Sequence, residues 1–103
     1  MNCVVPISES QQREVLGQTK HYVQLGETLF RQKFSIIPVT FDLRGRTAGM
    51  YKLIGQKKRR GLGWAGEPSR QIRYNPWIFA KYYEENLTVT VPHEVAHYLV
   101  DCL

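Results

Sequence analysis

The sequence predicts a single α+β domain, and three observations carry that reading. Apolar residues recur at three- and four-residue steps from about residue 9 to 32, short alternating runs with turn residues between them fill 36–74, and a helical pattern returns from Asn75 to the end. No internal repeat or linker divides the 103 residues, a length that supports one real but modest core. The expected order is an N-terminal helix, a small antiparallel sheet of about three strands, a short helix and a final helix.

Each element has a local cause. Ser8-Glu9-Ser10-Gln11 has the spacing of a capping box, with Ile7 before it as a staple residue. Val15, Thr19, Tyr22, Val23, Gly26, Leu29 and Phe30 then form the inner stripe of the first helix. Residues 36–43 read as a strand that Pro38 pushes toward a sheet edge. Arg44-Gly45 reads as the turn of a hairpin leading into a second strand over 47–53. Residues 55–68 hold four glycines and a proline without period and predict an exposed loop, after which residues 69–74 alternate as a third strand. Asn75-Pro76 starts a short apolar helix, with Asn as cap and Pro in the first turn. Asn86 is the expected cap of the last helix, kinked near Pro92, with Val89, Pro92, Ala96, Leu99, Val100 and Leu103 facing the core.

Composition narrows the function classes. Hydrophobic residues at 43% and aromatics at 12% suit a globular chain rather than a disordered one. No apolar run of about 18 residues appears, so no membrane-spanning helix is expected, and the first residues do not read as a secretory signal. Two cysteines, Cys3 and Cys102, make no disulfide framework, which points to a reduced, cytoplasmic setting. Between Arg44 and Arg73 nine basic residues stand against one acid, Glu67, so that segment is +8 and the rest of the chain is −3. Such asymmetry is suited either to a solvated loop or to an anionic partner, nucleic acid first.

The chemistry concentrates at His93-Glu94-Val95-Ala96-His97, an H-E-x-x-H pattern. On a helix, residues four apart project from one face, so two imidazoles can share one tetrahedral zinc ion at roughly 2.0–2.1 Å each. Glu94, on the adjoining part of the turn, can take a proton from water activated by the metal without ligating it. The reaction expected of such a set is metal-assisted hydrolysis, with Glu94 returning the proton to the leaving amine.

Around this motif, Val91-Pro92-His93-Glu94-Val95-Ala96-His97-Tyr98-Leu99-Val100 resembles the V-P-H-E-L-A-H-L-L-V segment of SprT-like metalloproteases. Arg46-Thr47-Ala48-Gly49 and Ile72-Arg73-Tyr74-Asn75-Pro76 resemble two upstream elements of that family in the same order, so the resemblance covers roughly residues 5–103. It implies a zincin-like fold, zinc ligands at His93 and His97, and a general base at Glu94. The eukaryotic relative Spartan cleaves proteins crosslinked to DNA, so the resemblance also implies a protein or peptide substrate and a DNA-associated role. Residues 55–68 are longer than the matching connection in the bacterial proteins.

Family members take a third zinc-binding histidine from the segment after the motif helix, and no such residue precedes Leu103. Within the chain the substitutes are poor. Asp101 lies about 12 Å along the helix axis from His93, and Cys102 about 140° around the axis from His97. His21 reads as an ordinary surface or half-buried histidine. A single SprT-like domain over 1–103, incomplete at its C-terminus, is therefore expected. It would hold zinc weakly through two histidines plus water or a neighbouring molecule, with little or no peptidase activity. A different class of reading is a non-catalytic nucleic-acid-binding module using Lys57, Lys58, Arg59 and Arg60, with Trp64 either stacking on an unpaired base or covering the core edge. An unfinished apolar last helix would also favour a homodimer.

Overall fold

The computed structural model describes residues 5–54 and 69–103. Helix α1 runs Glu9–Phe30, and its start is the expected capping box: Gln11 N–H donates to Ser8 Oγ, and Ser8 N–H donates to Gln11 Oε1. It ends two residues earlier than the periodicity suggests, at Arg31 in the left-handed conformation (φ 54°), whose N–H donates to Glu27 O. Val15, Thr19 and Gly26 are buried, and Tyr22 and Val23 pack on the core, whereas Leu29 and Phe30 are exposed.

Three strands follow: β1 (Val39–Thr40), β2 (Gly49–Ile54) and β3 (Ser69–Tyr74), in the spatial order β1-β3-β2. β2 and β3 are antiparallel, with Gly49 opposite Tyr74 and Tyr51 opposite Ile72, but β1 pairs with β3 in parallel, Val39 opposite Ile72. The sheet is thus mixed rather than antiparallel, and the hairpin expected across Arg44-Gly45 does not form. The cause lies at Asn75. Its backbone N–H donates to Ala48 O, its side-chain amide donates to Gly45 O, and Leu43 N–H donates to Tyr74 O. The connection between β1 and β2 is thereby wrapped around the end of β3, which takes the centre of the sheet. Pro38 offers no N–H to a ladder, and only its carbonyl is used, accepting from Ile72 N–H. The paired part of the first strand shrinks to two residues.

Alternation along the strands separates two faces. Gly49 and Tyr51 on β2 share a face with Ile72 and Tyr74 on β3, the last two fully buried. Met50, Lys52, Gln71 and Arg73 take the other face, where Arg73 pairs with Asp42 (2.9 Å) and Gln71 reaches Thr40. Among the described residues, helices cover the first face only. Tyr74 donates its hydroxyl hydrogen bond to Thr19 Oγ1 (2.9 Å), which itself donates to Val15 O, so α1 is pinned to the central strand by a satisfied buried pair.

Helix α2 (Pro76–Lys81) begins as expected, with Asn75 Oδ1 accepting from Trp77 and Ile78 N–H, and it buries Phe79 against Tyr74. A short α3 (Tyr83–Glu85), a π-turn (Asn86–Thr90) and α4 (Val91–Cys102) then run on without a break. Asn86 is not a helix cap. It is buried inside this run, donating to Ile78 O and accepting from Thr90 Oγ1 at 2.6 Å. The kink expected at Pro92 takes the form of the π-turn just before it, where Val91 N–H bonds to Asn86 O. A proline ring crowds the carbonyl four residues back, and a widened turn relieves that clash. No helix among the described residues is long and apolar enough to cross a membrane.

Candidate metal centre

Of the face expected from Val89, Pro92, Ala96, Leu99, Val100 and Leu103, only Leu99 is buried, and helix α4 instead turns in Val91, Glu94, Val95 and Tyr98 beside it. Two apolar stripes compete on this helix, and specific partners select between them. Leu99 lies over Gly26 of α1, where a β-carbon would stand 2.5 Å from Leu99 Cδ1, and Tyr98 donates its hydroxyl to Ser35 O (2.5 Å). Val89 and Val100 are left 64% and 71% exposed.

This rotation turns His93 and His97 outward. Their Nε2 atoms lie 3.1 Å apart, with ring planes at 88°, on the exposed side of the helix. Two nitrogens at roughly 2.0–2.1 Å from one tetrahedral ion stand about 3.3 Å apart, so the pair is already spaced to within a few tenths of an ångström of what a shared zinc needs. Neutral imidazole nitrogen is also the donor type that zinc takes. The two residues fit the ion.

Glu94 faces inward beside them and is 6% exposed. The sheet leaves room for it at Gly49, where a β-carbon would stand 3.1 Å from Glu94 Cγ and 2.9 Å from Thr90 Cγ2. Burial pushes the Glu94 carboxyl above its ordinary range, while His93, His97 and the Tyr51 backbone pull it back. A carboxylate held this way is a stronger base than one in water.

A model of the SprT-like family matches residues 19–103. This chain belongs to the SprT-like family. Among curated relatives, Protein SprT of Pseudomonas savastanoi pv. phaseolicola is 35% identical over 74 residues, which are 72% of this chain and 37% of that protein. Protein SprT of Vibrio parahaemolyticus is 32% identical over 75 residues, 73% of this chain and 37% of that protein. Protein SprT of Shewanella oneidensis is 31% identical over 88 residues, 85% of this chain and 47% of that protein. The SprT-like chain thus spans less than half the length of these relatives. No solved structure matches it.

The SprT-like domain gathers some of the expected residues and not others. His93, Glu94 and His97 come together as their spacing requires. Among the described residues no group of three or more His, Cys, Asp or Glu side chains is placed to hold a metal. His21 is exposed on α1 with its ring edge against Tyr22, and Asp101 is taken up by Tyr51 and Arg70. Lys57, Lys58, Arg59, Arg60 and Trp64 lie outside the described residues.

Two residues of the site were not legible in the sequence. Gly49 belongs to the Arg46-Thr47-Ala48-Gly49 element, but nothing local says that its missing side chain accommodates Glu94. Tyr51 stacks on His97 with ring planes 7° apart and centroids 6.5 Å apart, and it lines an open groove of about 460 Å³ with His93, Ala96, His97, Val100 and Asp101. A tyrosine alternating along a strand carries no sequence signal for that role.

Proposed function

We propose that this SprT-like domain carries the core of a zinc-dependent peptide-hydrolysing centre. The observation behind this reading is the 3.1 Å approach of His93 and His97 Nε2 beside the buried carboxylate of Glu94. His93 and His97 would hold the ion, whose chemistry is Lewis acidity that acidifies water and polarises a scissile carbonyl. Glu94 accepts a proton from the attacking water and returns it to the leaving amine. Its burial supports both steps, because a raised carboxyl pKa lies nearer the working pH. The open groove of about 460 Å³ beside the histidines supports access of a substrate to them. With His93 and His97 as the two protein ligands proposed among the described residues, weak zinc uptake and slow turnover are the outcome expected of this chain.

The test is zinc uptake by the chain, measured together with cleavage of an unstructured protein substrate and repeated for Glu94→Gln. Weak zinc uptake that is lost in His93→Ala or His97→Ala is the expected result. Stoichiometric tight zinc with proteolysis lost in Glu94→Gln would refute the weak-binding part, and no zinc uptake at all would refute the metal reading.

A second activity is favoured by the charge of the segment from Arg44 to Arg73, nine basic residues against one acid. We propose DNA as its partner, with Lys57, Lys58, Arg59 and Arg60 on phosphates and Trp64 on an unpaired base. Replacing the four basic residues with Ala should weaken DNA binding and flatten its salt dependence, whereas unchanged binding would remove the proposal. A cytoplasmic location suits both readings. The exposed Val89, Val100 and Leu103 also support a homodimer, which light scattering on the eluting protein would detect.

A further inference from the structure

We propose that Tyr51 is a positioning residue for His97, held in place by Asp101 and Arg70; the inference rests on the metal reading above. Three side chains from three elements meet at this point. Tyr51 of β2 lies nearly parallel to the His97 ring, 7° between planes and 6.5 Å between centroids, an offset stack within the usual range for aromatic pairs. Its hydroxyl donates to Asp101 Oδ2 at 2.6 Å, and Arg70 Nε of β3 donates to the same oxygen at 3.0 Å. Asp101 stands one turn beyond His97 on α4, so the tyrosine ring is gripped by the helix whose histidine it flanks. Tyr98, the next residue on that helix, also neighbours the Tyr51 ring, 6.3 Å between centroids.

The physical need follows from exposure. His93 and His97 sit on the outer side of α4, where a histidine side chain is free to change rotamer. Metal affinity depends on how much of that freedom must be frozen on binding, and partners behind the ligands commonly change it 10- to 100-fold. For His97 the described residues provide a flat, anchored ring rather than a hydrogen-bonding carboxylate. The stack restricts the plane of the imidazole while leaving Nε2 directed at His93. The hydroxyl anchor in turn restricts the tyrosine. Asp101 is therefore occupied in bracing the site and is not available as a ligand to it.

The experiment uses the full chain with Zn²⁺ or Co²⁺ as the probe and compares wild type with Tyr51→Leu and Tyr51→Phe. In the metal-free protein the His97 ring protons of wild type should show a ring-current shift that Tyr51→Phe, which keeps the ring but loses its hydroxyl anchor, reduces and Tyr51→Leu loses. Zinc affinity should fall about tenfold in Tyr51→Leu and by a smaller factor, several-fold, in Tyr51→Phe. The Co²⁺ visible bands should change most in Tyr51→Leu. Equal zinc affinity and equal Co²⁺ spectra in wild type and Tyr51→Leu would overturn the proposal. If Tyr51→Leu loses its fold, Asp101→Ala carries the test, because it frees the ring without removing it. That variant should reduce the ring-current shift and weaken zinc several-fold, and unchanged values would again overturn the proposal. Wild type that takes up no zinc, with the ring-current shift intact, would instead refute the metal reading, and the positioning role with it.

Discussion

Helices α1 and α4 pack against each other on one face of the sheet, yet their inner faces are chosen differently. In α1 a single stripe is assigned by spacing, and its members Val15, Thr19, Tyr22, Val23 and Gly26 are turned inward, with Leu29 and Phe30 at its end left exposed. In α4 almost every position is apolar or carries chemistry, and the buried set includes the carboxylate of Glu94 while Ala96 and Val100 face outward. Periodicity decides orientation only where the outer face is polar. Where two apolar faces compete, the partner with the better fit decides, here Gly26 beneath Leu99 and Gly49 beneath Glu94.

The comparison can be broken most directly on α4. Val95→Asp places a charge at a site 1% exposed and should cost about 3–5 kcal/mol, whereas Val100→Asp, at 71% exposure, should stay within about 0.5 kcal/mol of wild type. Urea unfolding of both variants measures the difference, and similar losses would mean that α4 is rotated from the orientation described. The α1 side gives a smaller, paired effect. Gly26→Ala forces Leu99 aside and should destabilise by about 1–3 kcal/mol. Gly17→Ala has nothing within 4 Å of the new carbon and should stabilise by about 0.5–1 kcal/mol through helix propensity. Opposite signs in thermal melts are the expected outcome.

The link from α1 to the sheet is sharpened by Tyr74→Phe, which removes the hydrogen bond to Thr19 but leaves Thr19 donating to Val15 O. A loss of about 1 kcal/mol is expected, measured against wild type in the same denaturant series. The smallest effect belongs to the open face. Arg73 and Thr40 hold the Asp42 carboxyl below the usual carboxylate range. A group whose pKa is lowered by folding contributes stability above its unfolded pKa and loses it as pH falls through the lowered value. The stability difference between wild type and Asp42→Asn should therefore be present at neutral pH and disappear in strong acid. A difference independent of pH would show that the ion pair with Arg73 is not its source.

Much of this molecule was legible from local chemistry. The capping box at Ser8 and Gln11, the Asn75-Pro76 helix start and the strand over Ser69–Tyr74 were all signalled by residues within one turn or one pleat. The misreadings have a common origin in non-local partners. Asn75 ties the 44–48 connection to the end of β3 and prevents the hairpin, and Asn86 turns its amide inward to Ile78 instead of capping a helix. The histidine pair and Glu94 were readable because helix geometry alone puts residues 93, 94 and 97 together.

The sequence by itself carried the resemblance to the SprT-like family in its motif segments, and short-range spacing was sufficient for the α+β composition and for grouping residues 93, 94 and 97 on one helix. The tertiary structure alone decided that β3 is central, that α4 turns Val95 inward and His97 outward, and that Tyr51 and Asp101 meet beside the site. Those outcomes join residues dozens of positions apart, 50 at Tyr51 and Asp101. Packing and hydrogen-bond geometry between distant segments select them, and no local pattern records that choice.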